Sequence, residues 1–202
     1  MRVLVGCECS QTVTSAFRLA GHEAYSCDIS PCYGSMPQYH IQDDLRVVYD
    51  RIKPDLFIAH PPCTYLSRAG LCCLVNGSGQ IKDWLRWENG LLARDFFLWC
   101  LSRPAPMVCV ENPVPIRRFG LPRPTQIIEP YFFGDPYTKE TCLWLRGLPP
   151  LQMSNLVRPV ASWTAIHKSQ KIRSKTFDGV AAAMVAAWSG DLVGLQYEMG
   201  VF

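Results

Sequence analysis

Three observations predict an α/β fold built on a mixed, doubly wound sheet. An apolar run, a helical pattern and a second extended run succeed one another between residues 2 and 28, the opening unit of such a sheet. Two further apolar runs, 55–59 and 107–110, flank a long helical stretch, as parallel strands covered on both faces do. Beyond them the chain turns to short runs suited to antiparallel pairing. A chain of 202 residues suits a single domain over 1–202, large enough to bury roughly 70% of the surface it exposes when unfolded.

Taken in order, Arg2-Val3-Leu4-Val5-Gly6 reads as a buried parallel strand rather than part of a signal peptide. Ser10 is placed to cap a helix in which Val13, Ala16, Phe17 and Ala20 follow the i, i+3, i+4, i+7 pattern. Gly21 stands where a glycine ends a helix. Glu23 to Cys27 forms a second strand ending at Asp28. His40-Ile41-Gln42 leads into Asp43-Asp44, and residues 45–53 read as a short helix. Residues 55–59 are the clearest strand of the chain, about 82 to 102 a long amphipathic helix, and 107–110 the next strand. Thr125 to Phe133 and Thr141 to Leu145 are expected as antiparallel strands joined by Gly134-Asp135-Pro136, with Ala181 to Trp188 a late helix. Proline is frequent between 104 and 159, which suggests fixed loops around a site.

Composition narrows the function classes. Hydrophobic residues at 49% and charged ones at 18% describe a globular core rather than disorder. No apolar run approaches the roughly 18 residues of a membrane span, so no membrane partner is expected. A net charge of +3 permits a polyanionic partner without requiring one. Ten cysteines need a reason. Cys7 and Cys9 are two apart, Cys72 and Cys73 are adjacent and the four histidines are scattered, a poor match to zinc-ligand spacing, so no metal is expected. Reduced thiols in a cytosol-like compartment, most packing as small hydrophobes, fit better. One or two remain for chemistry.

In a doubly wound sheet, ligands lie beyond the carboxyl ends of the strands. Gly6-Cys7-Glu8-Cys9-Ser10 follows the first strand and opens a helix. Asp28 ends the second strand, where an acid accepts hydrogen bonds from ribose hydroxyls. An ordinary tight turn and a solvated Asp28 remain the alternative. Asp44 either caps the helix 45–53 or meets an adenine amino group.

Ile58-Ala59-His60-Pro61-Pro62-Cys63-Thr64-Tyr65-Leu66-Ser67 is the most informative segment. Two prolines after a buried strand fix a rigid loop and hold a thiol at the sheet edge. Cytosine C6 is a poor electrophile, and a thiolate is the soft, strong nucleophile it requires. Such a thiol needs partial exposure and nearby positive charge to lower its pKa, and Arg68 is a candidate source. Val108-Cys109-Val110-Glu111-Asn112-Pro113 supplies a carboxyl group at the next strand end. Such a group is suited to bridge cytosine N3 and its 4-amino group and to promote attack at C6.

Pro61-Pro62-Cys63 followed by Glu111-Asn112, after a strand-loop-helix and Asp28, resembles the cytosine-C5 DNA methyltransferases, and most closely a compact, phage-type group of them. Cys7-Glu8-Cys9-Ser10, Gly21-His22-Glu23-Ala24, His60-Pro61-Pro62-Cys63-Thr64-Tyr65-Leu66, Thr138-Lys139-Glu140-Thr141-Cys142-Leu143-Trp144-Leu145 and Gly147-Leu148-Pro149-Pro150-Leu151 extend the resemblance over nearly the whole chain. It implies a Rossmann-like methyltransferase fold and S-adenosyl-L-methionine as cofactor. It also implies a location in a bacterial or phage-infected host cytoplasm.

On this resemblance Cys63 attacks C6, Glu111 holds the pyrimidine, and Gly6, Cys7, Glu8, Cys9, Ser10, Asp28, Ile29, Asp44 and Pro61 surround the methyl donor. Thr176-Phe177-Asp178-Gly179 closes over the donor's methionine end. Large members carry a glycine-richer first loop, a Gln-x-Arg-x-Arg motif and a separate target-recognition domain. Here Lys139 and Thr141 stand in place of the two arginines, with Lys139 a candidate for the base's O2 or a phosphate, and only about 60 residues follow Glu111 before the late basic stretch. That leaves little room for a domain reading a long DNA sequence in the major groove.

DNA, duplex or single-stranded, is the expected partner. Arg68, Arg117, Arg118, Lys171 and Arg173 are the candidate nucleic-acid contacts, giving salt-dependent, weakly sequence-specific binding. Trp84 and Trp87 read as packing rather than base-stacking. The same C5 chemistry on RNA or a free pyrimidine nucleotide, and an inert nucleic-acid- or donor-binding module, are the alternatives. Amino-methyltransfer, to adenine N6 or cytosine N4, is disfavoured by His60 and Cys63 on either side of Pro-Pro.

Overall fold

The computed structural model describes residues 1–190, so the end of the expected 1–202 domain lies outside the described residues. In chain order the elements are β1 (Arg2–Gly6), α1 (Thr12–Leu19), β2 (Glu23–Asp28), β3 (His40–Gln42), α2 (Leu45–Ile52), β4 (Leu56–Ala59) and α3 (Leu71–Leu74). They continue with α4 (Trp84–Leu101), β5 (Met107–Pro113), β6 (Gln126–Ile128), β7 (Tyr137–Thr138), β8 (Thr141–Arg146), β9 (Ala161–Ser162), α5 (Trp163–Ile166), α6 (Gln170–Ser174) and α7 (Asp178–Trp188).

Seven strands form one sheet in the order β3-β2-β1-β4-β5-β8-β6. The first five are parallel, while β8 runs antiparallel to both β5 and β6. This is the mixed, doubly wound, Rossmann-like sheet predicted from the strand-helix-strand opening. The order reverses direction between β1 and β4, and such a switch point opens a crevice at the carboxyl ends of the two strands.

Period-two alternation divides the core between the two faces. Leu4, Phe57, Val108 and Val110 pack with Leu45, Val48, Tyr49 and Phe97 of α2 and α4. Val3, Val5, Ile58 and Cys109 pack with Val13, Phe17, Val180 and Met184 of α1 and α7. Helices therefore cover both faces, which explains the nearly continuous apolar runs of β1 and β4. Among the described residues no helix is long and apolar enough to cross a membrane.

Local details depart from the sequence expectations. Gln11, not Ser10, occupies the N-cap of α1, in a left-handed conformation with φ 58°. The cap hydrogen bonds come from farther back, from Glu8. The strand expected over Thr125 to Phe133 shrinks to Gln126–Ile128, because Pro130 begins a 3-10 turn over Pro130–Phe132. Trp87 stacks on Phe119 at 5.0 Å, as packing requires, while Trp84 is exposed at the first turn of α4. β7 and β9 form a separate parallel pair that no local pattern announces.

Candidate active site

Parallel pairing of β4 and β5 sets Ala59 opposite Val110. One residue further, His60 and Glu111 emerge side by side, and continued alternation directs both toward the α1–α7 face. His60 Nδ1 lies 2.7 Å from Glu111 Oε2, with the two side chains 11% and 13% exposed. The following residues interlock on the other side, where buried Asn112 donates from Nδ2 to the Pro61 carbonyl at 2.7 Å. The His60 amide donates to the Gly6 carbonyl at 2.9 Å, tying the loop after β4 to the end of β1.

The Cys63 loop is held from two directions. Ile116 N–H donates to Leu66 O at 2.7 Å and Arg68 N–H to Val114 O at 2.8 Å, joining the loop to the segment after β5. Arg86 of α4 donates to the Thr64 carbonyl at 2.7 Å and lies 5.2 Å from the centre of the Tyr65 ring. Cys63 itself is half-buried.

Electrostatics define three states. Burial works against a charged imidazole, yet the hydrogen bond and charge of Glu111 overcome it and hold His60 above the ordinary histidine value. Burial likewise opposes the Glu111 carboxylate, but His60, and then Lys139, hold it below the ordinary carboxylate value. Burial and the Glu111 charge push the Cys63 thiol up, while Lys139 and Arg173 pull the other way. The thiol is therefore protonated at rest, contrary to the expectation of a lowered pKa. Arg68, expected to supply the activating charge, is paired instead with Glu140 at 3.8 Å. The cations acting on Cys63 come from elsewhere because β8 and the α6 segment fold back toward it.

Lys139 lines a small cavity with Glu111, Ile128, Thr141, Phe177 and Met184. Its backbone N–H donates to Glu129 Oε2 at 2.7 Å, and its Nζ to the Lys175 carbonyl at 3.3 Å. Lys171 sits with Nζ 4.0 Å from the centre of the Tyr33 ring, and its carbonyl accepts from Tyr33 Oη at 3.4 Å. The basic segment 168–175 thus spans from the loop after β2 to Lys139. Arg117 and Arg118 stand on the turn after β5, where Arg118 donates to Gly79 O at 2.6 Å.

The expected cofactor residues gather along the adjoining carboxyl edge of β1, β2, β3 and β4. Cys7 follows Gly6 in a left-handed conformation with φ 59°, its thiol pushed well up by burial. Glu8 is buried and caps α1, accepting from Val13 N at 2.7 Å, Thr14 N at 3.2 Å and Thr14 Oγ1 at 2.6 Å. Its carboxylate is engaged within the fold, leaving only its backbone for a ligand. Cys9 and Ser10 are half-buried in the same loop, and the Cys9 thiol is pushed up to about 12 by burial and by Asp28.

Asp28 accepts from Ser30 N at 2.8 Å, and Ile29 beside it is 76% exposed. Asp44 takes the helix-cap role, accepting from Arg46 N at 2.8 Å. From the sequence His60 only argues against amino-methyltransfer, Asn112 only belongs to the Glu111-Asn112 motif, and Arg86 carries no reading. For a place in the site their one signal was position directly beyond β4 and β5 or on the helix between them.

Neither a protein-family model nor a curated protein matches this chain. Among solved structures, the E260A/E261A/K263A mutant of DNMT2 from Spodoptera frugiperda is similar at 11% identity and a TM-score of 0.38, over 81% of this chain and 55% of that one. This chain thus spans about half the length of that neighbour.

Proposed function

We propose that this protein methylates C5 of cytosine in DNA, using S-adenosyl-L-methionine and a covalent bond between Cys63 and C6. One observation carries the reading: the half-buried thiol of Cys63, on a loop braced by Asn112 and Arg86, feels both the carboxylate of Glu111 on β5 and the charge of Lys139 before β8.

In this reading the target base enters edge-on to Glu111, flipped from a duplex or taken from a single strand. A pyrimidine engaged at Glu111 offsets the anion that raises the thiol pKa, and the charges of Lys139 and Arg173 then favour thiolate. The Cys63 thiol releases its proton as Sγ bonds to C6, the displaced ring electron pair moves toward N3, and that proton reaches N3 through the Glu111 carboxylate. C5 becomes nucleophilic and accepts the methyl group that the bound sulfonium donor supplies. N3 returns its proton to Glu111, a base or ordered water takes the C5 proton, and expulsion of Sγ as thiolate restores the ring. Asp28 and Ile29 would hold the donor's nucleoside, and the backbone of Gly6 to Ser10 its other end.

The test supplies labelled donor with duplex DNA, single-stranded DNA, RNA or dCMP, followed by nucleoside mass spectrometry. Wild type is expected to yield 5-methylcytosine in DNA, and Cys63→Ala to lose at least about a thousandfold in rate while donor binding persists. Full activity in Cys63→Ala would sink the covalent mechanism, and label in dCMP or RNA alone would reassign the substrate.

A further inference from the structure

We propose that His60 is a positioning residue of this centre: its Nδ1–H grips one oxygen of Glu111, fixes the plane of the carboxylate and leaves the other oxygen to face the substrate base. The proposal rests on the C5 reading for the identity of that base, but the His60–Glu111 pair stands on geometry alone.

Three observations support it. The register of β4 against β5 delivers the two side chains to adjacent strand ends, with Nδ1 and Oε2 2.7 Å apart. The flanking backbone is tied on both sides, by Asn112 to Pro61 and by His60 N–H to Gly6 O, so the two side chains start from fixed, adjacent positions. The remaining ring nitrogen, Nε2, is buried without a hydrogen-bond partner among the described residues. All of the ring's polar bonding is therefore directed at Glu111. An aromatic ring serving only to fill this space would not need to bury an unpaired nitrogen beside a carboxylate.

Charged and titratable groups face the pair from each surrounding element. They are Cys63 from the same loop, Glu8 from the β1–α1 loop, Lys139 from the turn before β8, and the buried thiols of Cys109 on β5 and Cys142 on β8. Glu8 reinforces the imidazolium and Lys139 opposes it. Because Glu111 also raises the Cys63 thiol pKa, the imidazole that orients Glu111 acts indirectly on the nucleophile.

Two measurements test the proposal on the full chain. In the first, histidine 15N NMR of the free protein follows the ring nitrogens of His60, assigned by the signal lost in His60→Asn. The midpoint of the ring is expected to lie above the ordinary histidine value, and Glu111→Gln is expected to lower it, because the hydrogen bond and charge of Glu111 hold it up. A neutral ring whose midpoint is unmoved by Glu111→Gln overturns the pair.

In the second, DNA containing 5-fluorocytosine is incubated with donor and the rate of adduct formation is measured across pH. His60→Asn keeps an N–H donor near the Nδ1 position but cannot titrate. It is expected to lower the maximal rate roughly 10–100-fold, by analogy with other groups that orient a reacting residue, to change the half-saturating DNA concentration by less than about threefold, and to alter the pH profile. His60→Ala is expected to lose more, so that Asn gives partial rescue. A loss of thermal stability with an unchanged rate and pH profile reduces His60 to a strut and overturns the positioning role. If wild type forms no adduct and methylates nothing, the C5 reading fails, and the NMR measurement still upholds or overturns the pair.

Discussion

His60 and Glu111 sit where either charge alone would be costly, since burying an unpaired ion is strongly destabilising. Their pairing gives stability a defined pH window. Glu111 is held below its ordinary 4.5, so its contribution is present above that value and is lost as pH falls through the lower folded pKa. His60 is held above its ordinary 6.5, so its contribution is present below that value and is lost as pH rises through the higher folded pKa. The pair therefore stabilises most between 4.5 and 6.5. Denaturant unfolding from about pH 3 to 9 is expected to show both limbs, and Glu111→Gln to flatten them at a cost of about 1–2 kcal/mol at the plateau. Cys63 and Glu111 were legible because each follows an apolar strand. Their partners were not, because His60 meets Glu111 only through the register of two strands 51 positions apart.

At the scale of elements, the β1–α1 connection shows how a loop without a run of glycines is stabilised. Cys7 and Gln11 both adopt left-handed backbone, which costs roughly 1–2 kcal/mol per residue for a side chain with a Cβ. Glu8 compensates by accepting from two orphan N–H groups at the start of α1 and from Thr14. Glu8→Ala is expected to lower stability by about 2 kcal/mol, the upper range for a lost cap. Hydrogen exchange at Val13 and Thr14 is expected to accelerate more than exchange in β4. Unchanged protection there would argue against the cap. The sequence pointed to Ser10 because its local rule places Ser at an N-cap, whereas this cap reaches back across a sharp turn. The same limit hid β7 and β9, whose pairing joins Tyr137 to Ala161.

Across the whole molecule, the sheet's switch point collects the loops of β1, β2, β4 and β5 on one edge, and the segment 168–175 brings Lys171 and Arg173 over it. If that segment contacts phosphates, DNA affinity falls with salt, and each contact removed lowers the log–log slope by roughly 0.9. Lys171→Ala with Arg173→Ala is expected to reduce the slope by nearly two while leaving preference among sequences unchanged. Fluorescence anisotropy over a salt series measures this, and an unchanged slope would remove the segment from the interface. Arg68, tied to Glu140, is expected to contribute less.

By itself the sequence determined the order of the main strands and helices from β1 to β5 and the placement of Cys63, Glu111 and Asp28 near strand ends, because apolar periodicity and the residues that end a strand are local properties. Only the tertiary structure decided which charges meet. It gave His60 to Glu111, Glu140 to Arg68, and Lys139 and Arg173 to Cys63, because those encounters depend on strand register and on the return of distant segments across the sheet. It also reversed the expected state of the nucleophile, since burial beside an anion outweighs more remote positive charge.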